Sequence, residues 1–178
     1  AERCGESALW SRSFASVKEL RAFIEHEDLQ GAWVVKDATA NSGVGLWFAS
    51  CAEDLLHMNI DARHEVVLQS YLANPLLWRG RKLQYRCYCV WRGRRCYLYA
   101  GAMAQVCALP YEPPSGDMAP EQHVTNVSCN VESTHFVPER PVADLEAEHP
   151  RHFGAIRRAL RSLATAAAPA LAPCRANR

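Results

Sequence analysis

The stretch Trp33-Val-Val-Lys-Asp-Ala-Thr-Ala-Asn-Ser-Gly-Val-Gly-Leu46 decides how the rest of the chain is read. Val34 and Val35 make the apolar heart of a short buried strand, and Lys36 stands at its end. Ala38 to Gly45 then carry almost no side-chain bulk, so their backbone amides can approach a phosphate closely. This is the outline of a nucleotide site. It is neither a P-loop, in which the lysine follows the glycines, nor a G-x-G-x-x-G dinucleotide fingerprint. Taken alone, the stretch also reads as a strand followed by an ordinary turn.

With 178 residues and 49% apolar composition, the chain can bury a real core and amounts to one domain or one large piece of a bigger one. A net charge of +1 argues against nucleic-acid binding by bulk charge. Local clusters at Arg79, Arg81, Lys82 and at Arg92, Arg94, Arg95 suit an anion or an acidic peptide, or are simply solvated hairpin turns. The eight cysteines include no C-x-x-C pair. Cys87 and Cys89 sit two apart in a strand-like run and behave there as small apolar residues, so free thiols in a reducing compartment are expected. The seven histidines form no H-E-x-x-H, and no metal ligands are assigned. No apolar run reaches membrane-spanning length and no signal peptide opens the chain, so a cytoplasmic protein without a membrane partner is expected.

In chain order, residues 1–12 read as an extended lead-in. Ser16-Val-Lys-Glu19 is a capping box ahead of a helix over about 16 to 27 with Val17, Leu20, Phe23 and Ile24 at helical spacing. A second strand at Leu46 to Ala49 closes a hairpin on the first, and Ser50-Cys-Ala-Glu53 reads as another capping box. Val66 to Leu68 continue into Gln69-Ser-Tyr-Leu72, a buried strand whose polar end suits a ligand; Asn74-Pro75 redirects it. From Lys82 to Trp91 the residues alternate, with Lys82, Gln84, Arg86 and Tyr88 on one face. Arg92-Gly93-Arg94 makes the turn to a returning strand over Arg95 to Gln105. Residues 108–122 read as a proline-rich loop ahead of His123-Val-Thr-Asn126, and 131–141 as irregular. The last helix starts at Pro150 and stops near Pro169, with Phe153, Ile156, Leu160, Leu163 and Ala167 as its apolar stripe and its arginines solvated.

Four of these pieces, Lys36 to Gly45, Gln69 to Leu77, Lys82 to Arg86 and His123 to Asn126, stand in the order and spacing of the tubulin tyrosine ligase-like family, a branch of the ATP-grasp fold. The family pattern reads K-P-S-S-G-x-x-G-x-G, Q-K-Y-L-x-x-P-L-L, K-F-D-x-R and H-L-T-N at those places, and the resemblance runs from about Trp33 to the helix ending near Pro169. It implies an α+β, ATP-grasp-like fold: a mainly antiparallel sheet with flanking helices, incomplete at the C-terminus. The expected division is a lead-in and helix over 1–30, a partial ATP-grasp domain over 31–169 and a tail over 170–178.

By that resemblance, Lys36 and the loop with Gly43 and Gly45 hold ATP phosphates, and Gln69, Ser70, Tyr71 and Leu72 line the adenine pocket. Lys82 and Arg86 are the catalytic cations that neutralise the phosphates and an acyl-phosphate, and Thr125 with Asn126 lies near the sugar or phosphates. The implied chemistry is ATP-dependent addition of glutamate, tyrosine or glycine to an acidic tubulin tail or similar peptide, at the cytoskeleton or cilium.

The departures are equally specific. Gln84 replaces the aspartate of K-F-D-x-R, Ser70 the lysine beside the adenine, Ser42 a basic loop residue and Gln105 an arginine of the returning strand. The family's magnesium ligands come from a segment after the last helix, which this chain does not include. ATP and magnesium are thus the implied cofactors, with the magnesium ligands expected outside these residues. Three functions remain open: a degenerate or truncated ligase domain; a non-catalytic pseudoenzyme serving as a binding or structural module in a large, for example microtubule-associated, assembly; and a likeness of fold alone, with a substrate unrelated to tubulin.

Overall fold

The computed structural model describes residues 9–62, 64–92, 95–99, 102–114, 119–141 and 150–167. The chain divides into two units. The first comprises residues 9–84 and 106–138; the second takes the remainder. The turn expected at 93–94, the helix end near Pro169 and the tail over 170–178 lie outside the described residues.

In the first unit the chain order is β1 (Ser11–Phe14), α1 (Val17–His26), β2 (Trp33–Asp37), β3 (Leu46–Ala49), α2 (Ala52–His57), β4 (Val66–Ser70), β5 (Leu77–Trp78) and the start of β6 (Arg81–Arg86). Two one-turn helices follow, α3 (Pro120–His123) and α4 (Val127–Asn130). A four-stranded antiparallel sheet in the order β1-β4-β2-β3 is its centre. The fold is therefore α+β with antiparallel pairing. β1 was not legible in the lead-in, because Ser-Arg-Ser-Phe holds a single apolar residue; its place is fixed by pairing with Val66 to Gln69 across the sheet.

Period-2 alternation gives this sheet two different faces. Trp33 and Val35 of β2 pair with Ser70 and Leu68 of β4 and point to the side covered by α1 and α2. There Leu20, Val35, Leu55, Val66 and Leu68 are fully buried beside Ile24, Trp33, Ala49 and Ile60. Val34, Lys36, Phe48 and Gln69 belong to the opposite face.

Helix α1 starts as its sequence predicts. Ser16 accepts the amide of Glu19, while Glu19 reaches back to the amide of Ala15. Helix α2 starts differently. Cys51 is its N-cap residue, and Asp54 rather than Glu53 returns to Ser50, accepting from both its amide (3.0 Å) and its hydroxyl. An acid four residues on closes the same kind of ring as one three residues on, so spacing alone did not choose between them. Between β5 and β6, Arg79 (φ 51) and Gly80 (φ 77) make a two-residue turn with both central φ values positive, the geometry that matches strand twist. The Arg79 guanidinium lies 4.5 Å from the Trp78 ring centroid and covers its face.

In the second unit, β7 (Cys89–Arg92) and β8 (Arg95–Leu98) pair as a hairpin, and β9 (Met103–Val106) pairs with β10 (Arg140–Pro141). Two elements expected as continuous are each broken. The run from Lys82 to Trp91 ends as β6 at Arg86 and resumes at Cys89, and the return over Arg95 to Gln105 is split into β8 and β9. Cys87 and Tyr88 are as compatible with a strand as their neighbours, so alternation ran through a break that only pairing reveals. The last helix, α5 (Pro150–Ala167), begins at the predicted proline. Its inward side is rotated by about one position: Arg157, Leu160, Arg161 and Ala164 line a hollow of 470 Å³ with Cys96, Leu98 and other hairpin residues, whereas Leu163 is 49% exposed. Arginine stems cover apolar surface as a leucine does, which an apolar-only stripe overlooks.

Candidate functional site

The polar face of the four-stranded sheet assembles the site from register alone. Lys36 pairs with Val67, which makes Gln69 its diagonal neighbour on the same face, and the ammonium donates to Gln69 Oε1 at 2.5 Å. Phe48, Val34 and Gln69 lie in one row across β3, β2 and β4. Phe48 then carries the next layer: its ring centroid is 5.6 Å from that of His123 and 5.7 Å from that of Tyr71. Tyr111 adds a third aromatic wall, 5.5 Å from the His123 ring.

Lys82 enters this cluster from β6. Its ammonium donates to the Tyr71 hydroxyl at 3.1 Å and stands 4.7 Å from the Tyr71 ring centroid. The same hydroxyl is 2.7 Å from Nδ1 of His123, which is 3% exposed. Burial lowers the pKa values of both lysines, and Lys36 lowers that of Lys82 further by charge repulsion. Both ammonium groups are thus partly withdrawn from water in the same cluster. Burial, reinforced by Lys82, pushes His123 down to about 4, so its imidazole is neutral at physiological pH. The buried Cys107 thiol beside Lys82 is pushed up to about 12 and remains protonated.

The small-residue loop between β2 and β3 is held by several contacts. Ser42 (φ 57), Gly43 (φ 85) and Gly45 (φ 67) all adopt left-handed backbone, and Asp37 accepts from the amide and hydroxyl of Thr39 at 2.8 and 2.7 Å. A Cβ on Gly43 would run into Cys129 Sγ and meet Val124 Cγ1 at 3.0 Å. A Cβ on Gly45 would lie 2.9 Å from both Ala40 Cβ and Asp37 Cβ. Glycine is thus required at 43 for close approach as well as for φ. The Ser42 carbonyl accepts from the Ser128 hydroxyl and, at 3.7 Å, from the Cys129 thiol, so the loop is docked onto α4.

Asn130 fixes the segment that receives it. This side chain, 1% exposed, accepts from the Ala108 amide at 2.7 Å and donates to the carbonyls of Val124 (2.7 Å) and Asn126 (2.8 Å). Three of its four hydrogen-bonding positions are filled, which orders the link from Val124 to Asn126 between α3 and α4 without regular structure.

Of the residues expected from sequence, Lys36, Gln69, Tyr71 and Lys82 meet in this cluster, with Gly43 and Gly45 in the adjoining loop. Tyr71 takes part through its hydroxyl and ring. Ser70 sends its hydroxyl to the Trp10 carbonyl at 3.4 Å, toward β1, and Leu72 is 49% exposed. Thr125 is buried and donates to Gln84 Oε1 at 2.9 Å, while Asn126 precedes α4 and packs its Cβ side against Gly43. Arg86 belongs to the second unit, where it lies 3.9 Å from Glu139; the Gln105 amide donates to the same carboxylate. His123, Phe48, Tyr111 and Asn130 were not anticipated. His123 opens the quoted H-V-T-N segment and was within reach of the sequence, whereas Phe48 needs the strand register to be noticed.

The family model described as "Tubulin-tyrosine ligase family" matches residues 5–165. The chain is similar to "Tubulin polyglutamylase ttll-5" of Caenorhabditis elegans, 28% identical over 133 residues that make up 72% of this chain and 18% of that protein. It is also similar to "Probable alpha-tubulin polyglutamylase Ttll1" of Tetrahymena thermophila, 26% identical over 133 residues, 66% of this chain and 32% of that one. The chain thus corresponds to less than a third of either relative's length. With the matched model covering nearly all of its residues and the four sequence motifs inside that span, the chain belongs to the tubulin-tyrosine ligase family.

Proposed function

We propose that the first unit binds the phosphates of ATP and is the nucleotide-holding part of an ATP-dependent ligase that adds an amino acid to an acidic tubulin tail. The observation that carries this reading is the placing of Lys36 and Lys82 in one cluster: each ammonium is partly desolvated and held there by a hydrogen bond, to Gln69 and to the Tyr71 hydroxyl, beside a glycine loop docked onto α4. Among the described residues neither has a carboxylate within salt-bridge distance. Bringing two like charges together in a partly dry cleft is unfavourable unless an anion neutralises them, and a polyphosphate does so at both at once. Fixed positive charge around phosphoryl oxygens is also what transfer of the γ-phosphate requires. Adenine contacts for Gln69 to Leu72 and sugar or phosphate contacts for Thr125 and Asn126 belong to this proposal as well. The described residues contain no cluster of three carboxylate, histidine or cysteine groups fit to hold a metal. The similarity to polyglutamylases supports glutamate as the added residue and tubulin as the acceptor.

A second reading, nucleotide binding without ligation, is favoured by the fate of the neutral replacements. Gln84 is engaged by Thr125, Gln105 by Glu139, and the Ser70 hydroxyl by Trp10. Each turns to an intramolecular partner. The test is turnover by the chain within its full-length protein, with ATP, magnesium, a tubulin-tail peptide and glutamate, tyrosine or glycine in turn. Peptide extension supports the ligase. ATP binding without extension leaves the non-catalytic module, and absence of both removes the nucleotide reading.

A further inference from the structure

Lys82 does not hang free in the cleft; two residues outside the cation pair determine where its charge sits. Its ammonium has only protons to give, so at 3.1 Å it occupies a lone pair of the Tyr71 oxygen. Burial pushes the Tyr71 phenol up, so that oxygen keeps its own proton and must direct it elsewhere. Nδ1 of His123 stands 2.7 Å away, on a neutral ring held among Phe48, Tyr71 and Tyr111 at centroid distances of 5.5 to 5.7 Å. The Tyr111 hydroxyl is also hydrogen-bonded to that of Tyr71; because it gives its own proton to the Ala73 carbonyl at 2.5 Å, it competes for the Tyr71 proton only as an acceptor, and an imidazole nitrogen is the stronger one. The chain of donors then runs one way, from Lys82 through Tyr71 to Nδ1 of His123, leaving Nε2 protonated.

We infer that Tyr71 and His123 are positioning residues, which by this directed chain hold the Lys82 ammonium beside Lys36 where both meet the bound phosphates. The inference rests on the nucleotide reading above. It also explains why a buried, uncharged histidine lies next to a lysine: its role is to accept, and a protonated imidazole would turn the Tyr71 proton back toward Lys82 and break the contact. The groups facing His123 are Lys82 from β6, Tyr71 beyond β4, Phe48 from β3 and Tyr111, none of them acidic.

The experiment pairs ATP titration with imidazole ¹⁵N NMR on the whole chain, the His123 signal being identified by its loss in His123→Asn. Tyr71→Phe, which removes one oxygen and keeps the ring, is expected to weaken ATP binding about tenfold, the size of a lost hydrogen bond to a charged group, with the fold retained by circular dichroism. His123→Leu does the same, and His123→Asn, whose amide places an acceptor near Nδ1, restores most of the affinity. In the spectrum Nδ1 is unprotonated and Nε2 carries the proton. Wild-type affinity in Tyr71→Phe while Lys36→Met weakens binding overturns the inference and leaves the nucleotide reading standing. A proton on Nδ1 overturns it as well, since His123 would then donate to Tyr71 in competition with Lys82. If the wild-type chain binds no ATP, the nucleotide reading fails and the inference fails with it, whichever tautomer the spectrum shows.

Discussion

The two faces of the β1-β4-β2-β3 sheet are made by the same strands and obey opposite rules. On one, Val35, Val66 and Leu68 pack under Leu20 and Leu55, every one fully buried and apolar. On the other, Lys36, Gln69 and Phe48 meet Tyr71, Lys82 and His123, and the fit comes from hydrogen bonds and charge. The first face holds the fold together by removing hydrocarbon from water. The second brings like charges together in a cleft, which is a cost to the folded state. The difference teaches that an apolar core and a polar, charged cluster are separated here by a single step in strand alternation.

Substitutions can break or sharpen that contrast. Leu68→Ala on the helix face is expected to cost about 2–5 kcal/mol, lowering the melting temperature by roughly 10 °C in calorimetry, because it empties a fully enclosed site. A fall under about 1 kcal/mol would mean that face is loosely packed. On the polar face, pH is the lever with the next largest effect. His123 has its folded pKa pushed down to about 4 from 6.5, so between those values the unfolded chain binds more protons. Its contribution is intact above pH 6.5 and is lost as pH falls toward 4, amounting to about 2–3 kcal/mol in denaturant titrations. In His123→Asn that portion of the pH dependence disappears. Ser16→Ala, at the start of α1, should cost about 1 kcal/mol through the lost cap. Lys36→Met is expected to leave stability within about 0.5 kcal/mol or raise it slightly, and to raise the pKa of Lys82, since it removes a like charge while keeping the stem. A strongly destabilised Lys36→Met would contradict the contrast between the faces.

The helix face was largely legible in the sequence. Val17, Leu20, Phe23 and Ile24 at helical spacing behind Ser16, and the strands around Val35 and Val67, lie where period and capping put them. The polar face was legible only in part. Lys36 announces itself because a charge ends an apolar strand, but its partner Gln69 lies 33 positions away and is chosen by register. His123 follows a proline-rich loop that carries no period, and its importance comes from three aromatic rings supplied by β3, the end of β4 and Tyr111. Arg86 shows the limit of alternation as a guide. Alternation put it on the face of Lys82 and Gln84, but β6 passes from one unit to the other between Gln84 and Tyr85, and Arg86 is found beside Glu139. The loss of charge at Gln105 is likewise understood only once its partner Glu139 is seen.

The central claim is that Lys36 and Lys82 face one anion together. A double-mutant cycle on ATP affinity, measured by calorimetry with the wild-type chain, Lys36→Met, Lys82→Met and the double variant, tests it directly. The account predicts that each single change weakens binding by about tenfold or more and that the double variant loses clearly less than the product, because both groups serve the same phosphates. Wild-type affinity in either single variant, or losses that simply multiply, would contradict it.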